Sequence, residues 1–152
     1  MTEIRRATLD DLKVIDSLRR KEAEAVGFIP DSRWELELSG AYNGAIWLLE
    51  ENADPVGYLY ATFSPGRGRI QQVVVREDAR RAERATALVT SAEAESAKRG
   101  AFDFGCRVGL DLEATAFWEA MGFEQVATIP GGQRRNRTLG VYRKAIGTER
   151  LL

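Results

Sequence analysis

The chain has 152 residues, a formal net charge of −1, 44% hydrophobic and 30% charged residues, which is the composition of an ordinary soluble globular domain. It contains no histidine and one cysteine, Cys106, so Ser-His-Asp and Cys-His nucleophilic sites, His-based zinc sites and an internal disulfide are excluded. The near-neutral charge offers no general field for nucleic acid or anionic membranes, and no apolar run approaches the roughly 20 residues of a membrane span. The first residues, Met-Thr-Glu-Ile-Arg-Arg, lack the apolar stretch of a secretory signal, so a cytoplasmic, reducing location is expected.

Residues 3–7 read as a short first strand. Thr8 then caps a helix, with Asp11 in a capping-box relation, and Leu12, Ile15 and Leu18 falling on one face. That helix is expected to run to about Ala25 and to stop near Gly27. Pro30-Asp31-Ser32 opens a shorter helix through about Leu38, ended by Ser39-Gly40. Ala45–Glu50 and Val56–Phe63 form a hairpin about the turn at residues 51–55, and Arg69–Arg76 makes a further strand through Val73-Val74-Val75.

From about Arg81 to Arg99 the period changes to 3.6, with a stripe of mostly small residues (Ala82, Ala85, Leu88, Val89, Ala92) suited to close packing on a sheet; Gly100 ends it. A strand over 101–108, a helix over 112–121 stopped by Gly122, and strands over 123–129 and 138–144 complete the chain. The order β-α-α-β-β-β-α-β-α-β-β, with hairpins and two crossover helices, implies an α/β (α+β) domain over residues 1–145 with a mixed sheet, followed by a tail at 146–152.

The passage from Val75 to Ala85 carries a buried strand through an arginine-bearing turn into the start of a long helix. Free backbone N–H groups and the helix dipole converge there, which makes an anion site. The turn reads Arg80-Arg81-Ala82-Glu83-Arg84-Ala85, and further on stands Ala114-Thr115-Ala116-Phe117-Trp118-Glu119-Ala120-Met121-Gly122-Phe123. In these two segments, and in element order over nearly the whole chain, the sequence resembles the GNAT (Gcn5-related N-acetyltransferase) superfamily. The resemblance implies a GNAT-like, mostly antiparallel sheet of about seven strands flanked by about four helices. It implies acetyl-CoA as co-substrate, no metal, and transfer of the acetyl group to a primary amine by direct attack.

The residues carried over are Val73 and Val75, whose main chain would hold the pantetheine arm, and Arg80 to Ala85 (Arg80, Arg81, Ala82, Glu83, Arg84, Ala85) for the pyrophosphate. Asp111, Phe117 and Trp118 would line the cofactor groove, and Arg76 or Arg81 would meet the nucleotide phosphates. Two positions depart from the family pattern. Glu83 replaces the first motif glycine, which adds bulk and a like charge beside phosphate. Trp118 replaces a frequent tyrosine and has no proton to give. A non-catalytic binding or regulatory module with a degraded CoA site is therefore the alternative reading.

No general base announces itself. Glu35, Tyr60 and Gln72 are the candidates, with Glu37 on the same short helix as Glu35, Tyr58 near Tyr60, and Gln71 beside Gln72. Tyr42, Trp47 and Trp34 are candidate apolar walls of the acceptor site. The acceptor is a small-molecule or peptide amine, nucleic acid and membrane are not expected partners, and a homodimer is plausible by resemblance. Cys106, among apolar neighbours, reads as a core residue.

Overall fold

The computed structural model describes residues 2–20, 29, 31–40, 42–76, 82–110, 115–131 and 138–147. The elements are β1 (Thr2–Arg6), a 3-10 turn (Leu9–Asp11), α1 (Leu12–Arg20), α2 (Asp31–Leu38), β2 (Ala45–Glu51) and β3 (Asp54–Ser64). They continue with β4 (Arg67–Val75), α3 (Ala82–Lys98), β5 (Asp103–Gly109), α4 (Thr115–Ala120), β6 (Glu124–Pro130) and β7 (Thr138–Ala145). Type and order follow the pattern read from the sequence. The ends shift by a few residues: β4 starts two residues earlier than expected and β5 two later. The stretch to Ala25, expected as the end of the first helix, lies outside the described residues beyond Arg20.

The seven strands form one sheet in the order β1-β2-β3-β4-β5-β7-β6. All neighbours are antiparallel except β4 and β5, which are joined by the crossover α3 and run parallel. The first turn is held as its sequence predicts. The Asp11 carboxylate accepts from the Thr8 main-chain N–H at 2.8 Å, and Arg5 donates to both its oxygens at 2.9 Å.

Side chains alternate across the sheet, so each face builds its own core. Ile46, Leu48, Tyr58, Tyr60 and Val74 pack with Ile15 and Leu18 of α1 and Trp34 and Leu38 of α2. Trp47, Leu59, Ile70, Phe104, Cys106 and Val108 pack on the other face, under Leu88, Val89 and Ala92 of α3 and Trp118 of α4. The small stripe of α3 has its counterpart in Gly68: a Cβ there would stand 2.1 Å from Oγ of the buried Ser96, so glycine is what lets helix and strand approach this closely. Gly100 and Gly122 end α3 and α4 at φ +85° and +93°. In each case the following N–H returns to the last turn, Ala101 to Ser96 and Phe123 to Trp118, satisfying carbonyls the helix leaves free.

Candidate active site

The parallel pairing of β4 with β5 is short. It joins Arg67 to Asp103, Gly68 to Phe104 and Arg69 to Gly105, and ends there. From Ile70 to Val75, β4 is hydrogen-bonded to β3 on one side and has no strand on the other among the described residues. The two strands thus part into a V whose open end lies at the C-terminus of β4, where the 17-residue α3 begins at Ala82. An unpaired strand edge is a template for an extended ligand, and the start of a long helix is a site for anionic groups.

At the root of the V, β4 bulges. Tyr60 pairs with Gln72 and Ala61 with Ile70, leaving Gln71 as the extra residue. A bulge changes which side chains face which way. Before it, Gly68 and Ile70 face α3; after it, Gln72 and Val74 face α1 and α2. The Gln71 amide donates to Thr62 Oγ1 at 2.9 Å, and the buried Gln72 accepts from the Tyr58 hydroxyl at 2.7 Å.

The candidate bases fare differently. In α2 the helical spacing turns Trp34, Glu37 and Leu38 inward and leaves Glu35 exposed on the outer side. Glu35 is therefore not brought to the sheet, whereas Glu37 is. Its residue is only 6% exposed, and neither carboxylate oxygen has a hydrogen-bond partner. The nearest cation is Arg33, whose Nε stands 4.0 Å away. Gly44 makes the space for this carboxylate: a Cβ at that position would lie 1.6 Å from Glu37 Oε2. Tyr60 is buried beside it, its hydroxyl accepting from Arg33 Nε at 3.2 Å. Burial, helped by the Glu37 charge, pushes the Tyr60 phenol up to about 12. Tyr58 is shifted the same way by burial.

The positions expected to hold the cofactor lie as follows. Val73 and Val75 lie on the diverging part of β4. Glu83 stands in the first turn of α3 with 73% of its side chain exposed, pointing to solvent, with Arg84 Nη1 4.0 Å from Oε1. Arg84 is engaged by the Glu51 carboxylate at the end of β2, and Arg76 is paired with Asp54 at 3.1 Å. Arg84 is thereby taken up in bracing α3 against β2. Ala85 packs against the α3-side core. Arg80, Arg81 and Asp111 lie outside the described residues, as does the Ala82 side chain. Trp118 is buried at 4% exposure, edge-on to Phe117 and Phe123, so it is a core residue; Phe117 is half-buried and keeps a surface.

The expected apolar walls are corrected in two cases. Trp34 and Trp47 are core residues of opposite faces, because both lie on inward-facing stripes; Tyr42 is exposed, with Arg33 stacked 4.4 Å from its ring centre. Cys106 is buried as expected, and burial pushes its thiol up to about 12. Sequence reading singled out neither Arg69 nor Arg107. Their signal is an arginine alternating with inward residues, Gly68 and Ile70 in β4 and Cys106 and Val108 in β5, which places both on one face of the sheet.

The sequence profile described as the Acetyltransferase (GNAT) family matches residues 11–123. The chain belongs to the GNAT acetyltransferase family. No curated protein matches it by sequence. Solved GNAT-fold structures superpose over nearly its whole length at low identity. The ribosomal-protein-alanine N-acetyltransferase of Brucella melitensis is 20% identical, with a TM-score of 0.80 over 94% of this chain and 99% of the other. The protein yncA of Salmonella typhimurium, solved with its cofactor acetyl-CoA, is 15% identical, with a TM-score of 0.82 over 100% and 98%. NAA60 of Arabidopsis thaliana, in complex with a bisubstrate analogue, is 13% identical, with a TM-score of 0.83 over 95% and 98%. At these identities the superpositions establish the GNAT fold. No helix among the described residues of this GNAT domain is long and apolar enough to cross a membrane, and no three metal-ligating side chains converge among them.

Proposed function

We propose that the chain is an N-acetyltransferase that moves the acetyl group of acetyl-CoA to a primary amine. The observation that carries this reading is the V. Beyond Arg69, β4 has β3 on one side and, among the described residues, no strand on the other, and it runs from the bulge at Gln71 toward the start of α3. The residues present suit the cofactor. The main chain of Val73 and Val75 offers the edge on which a pantetheine arm would lie, and Phe117 offers a half-buried apolar flank. The turn of Arg80 and Arg81 and the N–H groups of the first turn of α3, Ala82 to Ala85, would hold the pyrophosphate. Glu83 is 73% exposed and unpacked, so its side chain is free to turn away from that surface. This favours the enzyme over a module with a degraded site. The acetyl-CoA solved with yncA and the alanine acceptor named for the Brucella melitensis protein support the same assignment.

Acetyl-CoA supplies an acetyl group already activated as a thioester. In the balanced reaction an ammonium group first gives up one proton to become the free amine. Its nitrogen then forms the bond to the carbonyl carbon, the C–S bond breaks, and one of the two remaining N–H protons ends on the CoA thiol while the other stays on the amide nitrogen. We assign that work to two groups of this chain. A main-chain N–H at the Gln71–Gln72 bulge is the donor for the developing negative charge on oxygen. Glu37, buried and without a hydrogen-bond partner, is the carboxylate that draws the ammonium group in and takes its first proton, directly or through water. Tyr60 and Gln72, both held by neighbours, act as its surroundings and not as bases.

Calorimetric titration with acetyl-CoA, and with desulfo-CoA as the non-reactive control, tests the reading. Micromolar binding followed by amine-dependent thiol release is expected. No binding at millimolar acetyl-CoA overturns it.

A further inference from the structure

On the face turned away from α3, the root of the V carries a cleft of about 290 Å³, bordered by Arg67, Arg69, Gln71, Asp103, Arg107 and Arg143. Four guanidinium groups meet one carboxylate. Asp103 Oδ2 is shared by Arg67 Nε at 3.1 Å and Arg143 Nη1 at 3.6 Å. That leaves Arg69 and Arg107 with no carboxylate partner among the described residues. Arg69 is half-buried, and both its burial and the neighbouring Arg107 disfavour its charge. Two like charges on one wall of a cleft, one of them partly desolvated, are stable when an anion bridges them.

The cleft also lies in the right place to matter for the reaction. Arg69 pairs across the sheet with Thr62, and Tyr60, next to Glu37, is two residues away on the same face of β3. Two residues along a strand span about 7 Å. Between these two ends is the bulge at Gln71, which itself borders the cleft. The cleft therefore sets two cations that have no carboxylate partner among the described residues beside the bulge proposed to hold the carbonyl, while Glu37 lies buried behind Tyr60, outside its lining.

We propose that the acceptor is an amine that also carries a carboxylate, a small amino acid, with the carboxylate held by Arg69 and Arg107 and the amine turned toward the bulge at Gln71. The volume, at the lower end of the range for small-molecule pockets, suits such a ligand and not a folded protein surface. This inference rests on the acetyltransferase reading above and narrows it to a substrate class.

The test measures thiol release and product mass for the standard amino acids, each beside its α-carboxamide, with wild type, Arg69→Gln and Arg107→Gln. Calorimetry of the same pairs in the presence of desulfo-CoA gives binding without turnover. At least one acid is expected to exceed its amide about tenfold or more in kcat/KM, the range for losing a charge-assisted hydrogen bond. Each variant is expected to raise KM for that acid by a similar factor and so to bring the acid-to-amide ratio of kcat/KM toward one. Arg107 is exposed, so its variant keeps the fold even where Arg69→Gln lowers stability. Acid and amide used equally, or variants that leave their ratio unchanged, overturn the inference while the acetyltransferase reading stands. Acetyl-CoA binding with neither binding nor acetylation of any amino acid overturns it too. Failure to bind acetyl-CoA at all is the separate result that refutes the broader reading.

Discussion

Replacing Glu37 by methionine separates a functional carboxylate from a structural one. The carboxylate is buried, and both oxygens lack hydrogen bonds. Leaving a buried polar group unsatisfied costs about 1–3 kcal/mol, more for a charge. Against this stands the attraction of Arg33 at 4.0 Å, whose side chain is 43% exposed. Solvent screens such a pair to at most about 1 kcal/mol. Methionine has a similar length and adapts to irregular space, so packing on Trp34 and Gly44 is retained. The difference favours the variant by up to about 2 kcal/mol, which for a domain of this size raises Tm by up to roughly 8 °C. Turnover moves the other way, falling by about 10²–10⁴ for loss of a general base. Scanning calorimetry and thiol release on the same preparation read both quantities. A lower Tm shows that the carboxylate holds the fold together; a higher Tm with unchanged turnover shows that it serves no step. Either result refutes the assignment. Gly44→Ala is the companion variant, since its Cβ would displace Oε2 and lower turnover while Glu37 itself remains.

Three further outcomes are expected. Gly68→Ala drives a Cβ to 2.1 Å from Ser96 Oγ and, as overpacking does, costs about 1–3 kcal/mol in denaturant unfolding; Ser96→Gly in the same chain restores most of it, and simple additivity would count against the contact. Glu83→Gly leaves acetyl-CoA affinity within about threefold, because the side chain already points to solvent; a hundredfold gain by calorimetry means instead that the glutamate faces the phosphates. Arg5 holds the Asp11 carboxyl below its ordinary 3.8, with the Thr8 N–H assisting. A depressed folded-state value means that this stabilisation is complete above the unfolded value and is lost as pH falls through the folded one. Acid unfolding profiles of wild type and Asp11→Asn should therefore differ by a constant above about pH 5 and converge below pH 3.8.

Much of this molecule is local and so can be read along the chain. The 3.6-residue stripe of α3, the glycines ending α3 and α4, the capping of α1 through Thr8 and Asp11, and the change from hairpins to crossovers each depend on residues within one or two turns of each other. Periodicity and backbone chemistry report those directly. The order of elements and the expectation of an anion site at the start of α3 followed from them, together with the resemblance of the 80–85 and 114–123 segments. The inward position of Glu37 was also in the sequence, as the residue three after Trp34, but choosing it over Glu35 required knowing that Trp34 faces the sheet.

What needed the tertiary structure is whatever depends on pairing between distant strands. The Gln71 bulge exists only in the register of β4 against β3, and the V exists only because β4 and β5 stop pairing at Arg69 and Gly105. Arg69 and Arg107 are 38 positions apart in sequence, and each alone reads as a surface charge. They become one site when a parallel crossover sets their strands side by side, and no local pattern encodes the distance across a sheet. The same holds for Glu37 and Gly44, where a carboxylate occupies the space of an absent side chain. Burial without a hydrogen bond is a property of the assembled layers, and it is that property which marks the residue for chemistry.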